Sequence, residues 1–285
     1  MAKCSLCPNG CNINENFNGF CGSKNSLKIA KFYLHPFEEP CISGKNGSGT
    51  IFFCGCSLKC VFCQNYELSR NLRGKDISVN ELANIYKQLE DMGAENINLV
   101  NPTHYSDKII ESLKIYRPNI PIVYNTHSYE NIEVLKEINN YVDVYLADIK
   151  YFSQQTALRY CGKSNYFDKA SKAIEFMISS KPLSFNKEGM MTKGVIVRHL
   201  VLPLNVGDSK KILDWFMPFK NEAYFNLMSQ YTPFGNIENF PELQRKITKR
   251  EYTNALDYAI SLGIEKMFYQ KYESASTEYI PKWDF

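Results

Sequence analysis

From residue 50 onward the chain alternates short apolar, β-type runs with amphipathic helical patterns. That alternation narrows the folds open to it. Strands are expected at residues 50–53, 96–100, 120–125, 142–147, 195–202, 224–228 and 266–270. Helical patterns fall between most of them, at 106–116, 132–139, 168–179, 209–216 and 249–262. A further helix is expected to open at Ser78, since Ser78-x-x-Glu81 is a capping box, with Leu82, Ile85, Leu89 and Met92 as its apolar stripe. Strands separated by helix-length segments lie parallel and are joined by crossover helices. The count falls short of the eight units of a closed barrel. The expected fold is therefore α/β, a partial, TIM-like (β/α)6 barrel over residues 49–285.

In such barrels the chemistry collects where the strands end. Here the first strand runs into a cysteine loop and the second into Asn101-Pro102-Thr103-His104. The third ends in Asn125-Thr126-His127-Ser128 and the fourth in Asp148-Ile149-Lys150. The fifth carries Arg198 and His199, and the sixth leads into Ser229-Gln230-Tyr231. Six successive strands thus point polar groups at one mouth. Tyr269-Gln270, at the end of the last strand, is expected to line a substrate channel. Met190-Met191 and the aromatic tail 279–285 read as packing.

Nine of the ten cysteines lie in the first 63 residues. Cys56, Cys60 and Cys63 stand at Cys-x3-Cys-x2-Cys spacing, with the aromatic Phe62 before the third. Iron–sulfur clusters are normally held by four thiolates. Three leave one iron with an open coordination position, which is where a metal does chemistry. The competing reading is a structural metal site completed by Cys54 or Cys41. Against it, Cys54 stands only two residues before Cys56. Cys41, Cys54 and Cys161 read instead as buried small apolar residues.

A second set, Cys4-x2-Cys7-x3-Cys11-x9-Cys21, lies in an Asn- and Gly-rich segment, residues 1–48, that lacks helical periodicity. Three roles are open to it. They are a structural zinc site, an auxiliary iron–sulfur cluster, or free thiols. An oxygen-sensitive cluster nearby favours iron–sulfur over zinc. Residues of the other kinds read more plainly. His104, His127 and His199 are each expected to be ordinary polar residues at strand ends. Glu38 and Glu39 are adjacent, so in an extended segment they face opposite ways.

A net charge of +3 and the lack of a Lys/Arg stripe exclude a nucleic-acid-binding surface. The start, Met-Ala-Lys-Cys, shows no apolar run of a signal peptide, and no stretch approaches 18 apolar residues. A monomer in the reducing cytosol of an anaerobe, off the membrane, is the expectation.

These residues together carry a resemblance. Cys-x3-Cys-x-aromatic-Cys after a first strand, followed by a partial barrel, is similar to the radical S-adenosylmethionine superfamily. Within it the chain resembles homologues of pyruvate formate-lyase activating enzyme. The match runs through His35-Pro36-Phe37-Glu38-Glu39-Pro40, the glycine-flanked strand 47–53, Cys60-Val61-Phe62-Cys63-Gln64-Asn65, segments 96–100 and 143–150, and Arg198-His199-Leu200-Val201-Leu202-Pro203.

The resemblance implies that Cys56, Cys60 and Cys63 hold a 4Fe–4S cluster. Its open iron would chelate S-adenosylmethionine, and one electron would cleave the sulfonium to a 5′-deoxyadenosyl radical. The radical would take a hydrogen from a glycine of a glycyl radical enzyme. Reduced flavodoxin or ferredoxin would supply the electron. It implies cofactor contacts by Arg198 and Leu200, by Asp148 and Lys150 at the mouth, and by Phe62 and Asn65 near the adenosyl group. Asn125-Thr126 and Asp148 match a monovalent-cation site, with Asn125 where a carboxylate is expected. The second strand departs from the family, whose members often end it in a Gly-Gly-Glu type motif. Asn101-Pro102-Thr103 stands there instead, and Pro102 has no N–H, which leaves the Thr103 hydroxyl as the contact. Two other readings compete with a glycyl-radical activase. One is radical modification of another peptide or small molecule. The other is a non-catalytic iron–sulfur or zinc protein for electron transfer or assembly.

Overall fold

Strand β1 (Leu27–His35) opens the main sheet and pairs antiparallel with β2 (Ser48–Phe53) and with the short edge strand β3 (Lys75–Ile77). From β2 onward the strands run parallel: β4 (Ile97–Val100), β5 (Ile122–Thr126), β6 (Val144–Asp148), β7 (Met191–Leu200), β8 (Tyr224–Met228) and β9 (Met267–Tyr269). In this computed structural model the described residues are 2–14, 17–23 and 26–272, and the tail at 279–285 lies outside them. Helices follow the strands: α1 (Pro40–Ser43) after β1, α2 (Val79–Asp91) after β3, then α3 (Ser106–Ile115), α4 (Ile132–Ile138), α5 (Gln154–Cys161), α6 (Tyr166–Ser180), α7 (Val206–Phe216) and α8 (Lys249–Ser261). The pattern is six β/α units ending on a seventh parallel strand, an open α/β half-barrel. Among the described residues no helix is long and apolar enough to cross a membrane.

Local chemistry explains these boundaries. Ser78 and Glu81 form the expected reciprocal cap of α2, and Thr248 with Glu251 repeats it at α8. Leu82, Ile85 and Leu89 are buried, whereas Met92 caps the helix C-terminus and is 54% exposed. Two elements depart from the periodicity reading. Helix α5 precedes α6, where the sequence pattern shows one helix. Strand β1 places residues 27–35 in the main sheet, so the boundary expected near residue 48 falls inside a hairpin.

The two-residue strand period sorts side chains between two cores. Val195, Val197 and Val201 of β7 and the following loop face the helices, as do Tyr145 and Ala147 of β6. Ile196, Leu146, Val144 and Val123 face the concave side, where Cys41 and Ile42 of α1 pack against them. Helix α1 therefore plugs one end of the half-barrel. Ile42 is fully buried in that plug. Ile42→Ala is expected to destabilise the fold by about 2–5 kcal/mol, read as a lower urea midpoint at unchanged slope.

Candidate active site at the barrel mouth

Above the plug the concave face turns polar. Arg198 on β7 stands beside Asp148 on β6 and Asn226 on β8, each in register with it. The Arg198 guanidinium donates to Asp148 Oδ1 at 2.8 Å, to Glu38 Oε2 at 3.1 Å and to Asn125 Oδ1 at 2.5 Å. Lys150 Nζ holds the other Asp148 oxygen at 2.7 Å. Asn98 Nδ2 donates to Glu38 at 3.0 Å, and Asn226 Nδ2 to Glu39 at 2.8 Å. Burial alone would raise the Asp148 pKa, but Arg198 and Lys150 outweigh it and hold it down to about 2. Glu39 goes the other way: burial and the neighbouring Glu38 raise it against the pull of Arg198.

Glu38 and Glu39 were expected to face opposite ways. Both carboxylates instead turn towards Arg198, Glu39 at 4.0 Å. The reason is local: Glu39 is the residue before α1, so the pair sits in a turn into a helix rather than in a strand. Asn125 serves this lattice on both its atoms, since Arg198 takes its oxygen and its amide reaches Glu38 at 3.3 Å.

Over the lattice lies a cavity of about 280 Å³. The cysteine loop forms its roof. Lys59 takes a left-handed conformation (φ 52°), and the Leu58 and Lys59 N–H groups donate to Cys56 Sγ at 3.3 and 3.4 Å. The Tyr151 hydroxyl donates to Cys60 Sγ at 3.2 Å. Cys56, Cys60 and Cys63 all line the cavity. Burial pushes the Cys56 thiol up to about 12 and raises Cys63. Cys60 is raised further, first by its contact with the Cys161 thiol and then by burial. Such thiols ionise when a metal replaces their protons.

No fourth thiol lines the cavity: Cys161 touches Cys60 but donates to the Ala157 carbonyl at 3.0 Å and is absent from the lining. Cys54 points to the other side and donates to the Arg73 carbonyl at 3.1 Å, and Cys41 belongs to the plug. A structural site completed by either cysteine is thereby set aside.

The remaining expected residues divide. Phe62, Asn65, Asp148, Lys150, Arg198 and Leu200 line the same cavity as the three thiols. Phe62 is caged by Tyr151, Tyr160 and Tyr231, with ring centroids 6.3, 6.0 and 5.8 Å away. Thr103 is not brought there. It is fully buried behind the strand and donates to Glu130 at 2.7 Å. Asn101 takes its place at the cavity wall, in a left-handed conformation (φ 59°). Its Nδ2 holds the Gly55 carbonyl at 2.6 Å, while its buried Oδ1 has no partner among the described residues. An orphaned acceptor at this wall suits the amino group of S-adenosylmethionine, so the donor set fits that cofactor and a three-thiolate cluster.

Two of the four histidines line the cavity, His35 and His127, the latter bonding Ser57 Oγ at 2.8 Å. His199 faces the helices, bridging the Ile149 carbonyl and Ser209, and His104 bonds the Cys54 carbonyl. Gln230 lines the cavity and is held by Gln270 at 2.9 Å, whereas Tyr269 is 61% exposed and outside it. Asn98 and Asn226 escaped the sequence reading, although each is a polar interruption of an apolar strand, which is a legible sign.

The geometry agrees with comparisons to known proteins. The chain is 33% identical over 277 residues to the uncharacterised protein MJ0674 of Methanocaldococcus jannaschii, covering 93% of this chain and 77% of that one. A second uncharacterised protein of that organism, MJ0808, is 22% identical over 283 residues, covering 93% and 78%. Among solved structures, Streptococcus suis SuiB bound to its precursor peptide SuiA superposes with a TM-score of 0.53 at 12% identity, over 76% of this chain and 46% of SuiB. SuiB bound to S-adenosylmethionine gives 0.51 at 13% identity, over 75% and 47%. This chain spans about half the length of SuiB, and the likeness is one of fold. Residues 50–196, from β2 through most of β7, match the family model of the radical SAM superfamily, and with it the chain belongs to that superfamily.

Proposed function

We propose that this chain reductively cleaves S-adenosylmethionine at a 4Fe–4S cluster held by Cys56, Cys60 and Cys63, and that it installs a glycyl radical on a partner enzyme. The observation that carries the reading is that three thiols, and no other cysteine, line a mouth to which six parallel strands bring side chains. Bound there, cluster and cofactor would supply a one-electron cleavage of the sulfonium to methionine and a 5′-deoxyadenosyl radical.

The chain's own residues then bind, orient and exclude water. Asn101 Oδ1, which has no partner among the described residues, would accept from the amino group of the cofactor. Lys150 and Arg198, fixed by Asp148 between them, present positive charge at set positions. Leu58, Phe62, Leu200 and Met228 give the cavity an apolar wall, which keeps water from a reactive carbon radical. Reduced flavodoxin or ferredoxin would supply the electron, and a polypeptide would be the substrate. The fold shared with SuiB, which binds a precursor peptide, supports a polypeptide substrate, whether a glycyl radical enzyme or another peptide.

The test is anaerobic. The chain is reconstituted with iron and sulfide, then mixed with dithionite and S-adenosylmethionine. 5′-Deoxyadenosine is the expected product, and its absence from a fully loaded protein overturns the reading. With a glycyl radical enzyme added, a carbon-centred doublet in the EPR spectrum is expected. Nucleoside without the doublet transfers the assignment to modification of another peptide.

A further inference from the structure

The N-terminal cysteines gather at a second cavity. Cys4, Cys7, Cys11 and Cys21 all line a space of about 360 Å³, together with Ser23, His104 and Tyr105. It shares no lining residue with the mouth described above. Hydrogen-bond donors aim at its sulfurs: the Phe20 N–H donates to Cys11 Sγ at 3.3 Å and Asn9 Nδ2 to Cys7 Sγ at 3.5 Å. The Leu58 and Lys59 N–H groups treat Cys56 in the same way. Bonds of this kind set the charge and potential of sulfur ligands.

His104 provides an independent sign. Its Nε2–H donates to the Cys54 carbonyl at 2.8 Å, so Nδ1 carries the lone pair. That nitrogen is buried and has no partner among the described residues, and the residue is only 4% exposed. A histidine held by one nitrogen on a backbone carbonyl is how proteins offer the other nitrogen to a metal.

The size of the space bears on the metal. A zinc ion draws its four ligands to about 2.3 Å from one point. A cuboidal cluster instead keeps its ligands apart at its corners. The four N-terminal thiols line a space of about 360 Å³, comparable to the 280 Å³ lined by the three thiols of the first loop.

We propose that Cys4, Cys7, Cys11 and Cys21 hold a second iron–sulfur cluster, with His104 at its edge, seated against the outer wall of the first cysteine loop. Gly55 is that wall. A Cβ there would lie 2.7 Å from the Cys21 carbonyl and 2.5 Å from Ser23 Oγ, so only glycine allows the two loops to touch. Asn9 Nδ2 ties them further, donating to the Ser57 carbonyl at 2.8 Å. Two clusters sharing this wall are close enough for their unpaired electrons to interact. The site stands apart from the function proposed above, because it needs no cleavage of S-adenosylmethionine.

The full chain and two double variants are reconstituted anaerobically, and iron, sulfide and zinc are measured per chain. Cys7→Ser/Cys11→Ser is expected to lose about half of the iron and sulfide. Cys56→Ser/Cys60→Ser is expected to keep the half that the first variant loses. On reduction, the wild-type EPR signal is expected to be broadened by coupling, and each variant to give a simpler spectrum. Equal iron in wild type and Cys7→Ser/Cys11→Ser overturns the proposal, as does one zinc per chain lost in that variant. Should that variant fail to fold, the converse one decides: cluster iron retained in Cys56→Ser/Cys60→Ser supports the site, and its complete loss overturns it.

Discussion

Cys60→Ala yields no 5′-deoxyadenosine above the protein-free background, while Cys11→Ala still forms it with dithionite as reductant. This is the largest effect expected of any single change. The mouth offers three thiols: Cys54 and Cys41 lie away from it, and Cys161, although it touches Cys60, donates to the Ala157 carbonyl and does not line the cavity. Two thiolates do not retain a cuboidal cluster, so loss of product should accompany loss of iron. Product formed at an undiminished rate by Cys60→Ala would remove this loop from the chemistry. Loss of product in both variants would instead join the two cysteine sets in one function.

Arg198→Met is expected to cost about 3–5 kcal/mol, because it leaves buried carboxylates without their cation. That is a large share of a typical domain stability of about 5–15 kcal/mol. Asp148, Glu38 and Glu39 all approach the same guanidinium, at 2.8, 3.1 and 4.0 Å. The sign of the pH dependence follows. With Arg198 and Lys150 in place, Asp148 is held down to about 2, so its contribution is full above the unfolded carboxylate pKa and lost as pH falls through the folded one. In Arg198→Met, burial acts with less opposition and raises these carboxyls. The variant's deficit in urea unfolding should therefore be larger at pH 8 than at pH 5. A second change, Asp148→Asn, should return part of the loss. An equal deficit at both pH values would show that packing of the arginine stem, not its charge, is what the site needs.

The parallel strands were legible because each is a short apolar run bounded by polar residues, and that signal survives without any partner in view. Helix α5 was not, since Gln154–Cys161 is only eight residues long and its buried stripe is confined to Ala157, Tyr160 and Cys161. Strand β1 escaped for a different reason. Leu27–His35 is mostly half-buried and interleaves Lys28 and Lys31 with its apolar residues, so its pattern is diluted. At the mouth, residues on strands could be placed by counting in twos, which puts Arg198 and Leu200 inside and His199 outside. Side chains arriving from turns could not be placed by counting. Glu38 and Glu39 reach Arg198 across 160 and 159 residues of sequence, a closeness that only the folded chain creates. The exchange of Thr103 for Asn101 has the same origin: a left-handed residue redirects the chain, and no periodicity announces it.

Helix α1 bears on the order of events in catalysis. By stopping one end of the half-barrel with Cys41 and Ile42, it makes the chamber blind-ended. Whatever enters must also leave by the same door. A polypeptide lying across that door would trap a nucleoside cofactor beneath it, so the small molecule has to arrive first and its fragments depart last. Steady-state kinetics should then show a compulsory sequence, with excess polypeptide slowing turnover by sealing an empty chamber.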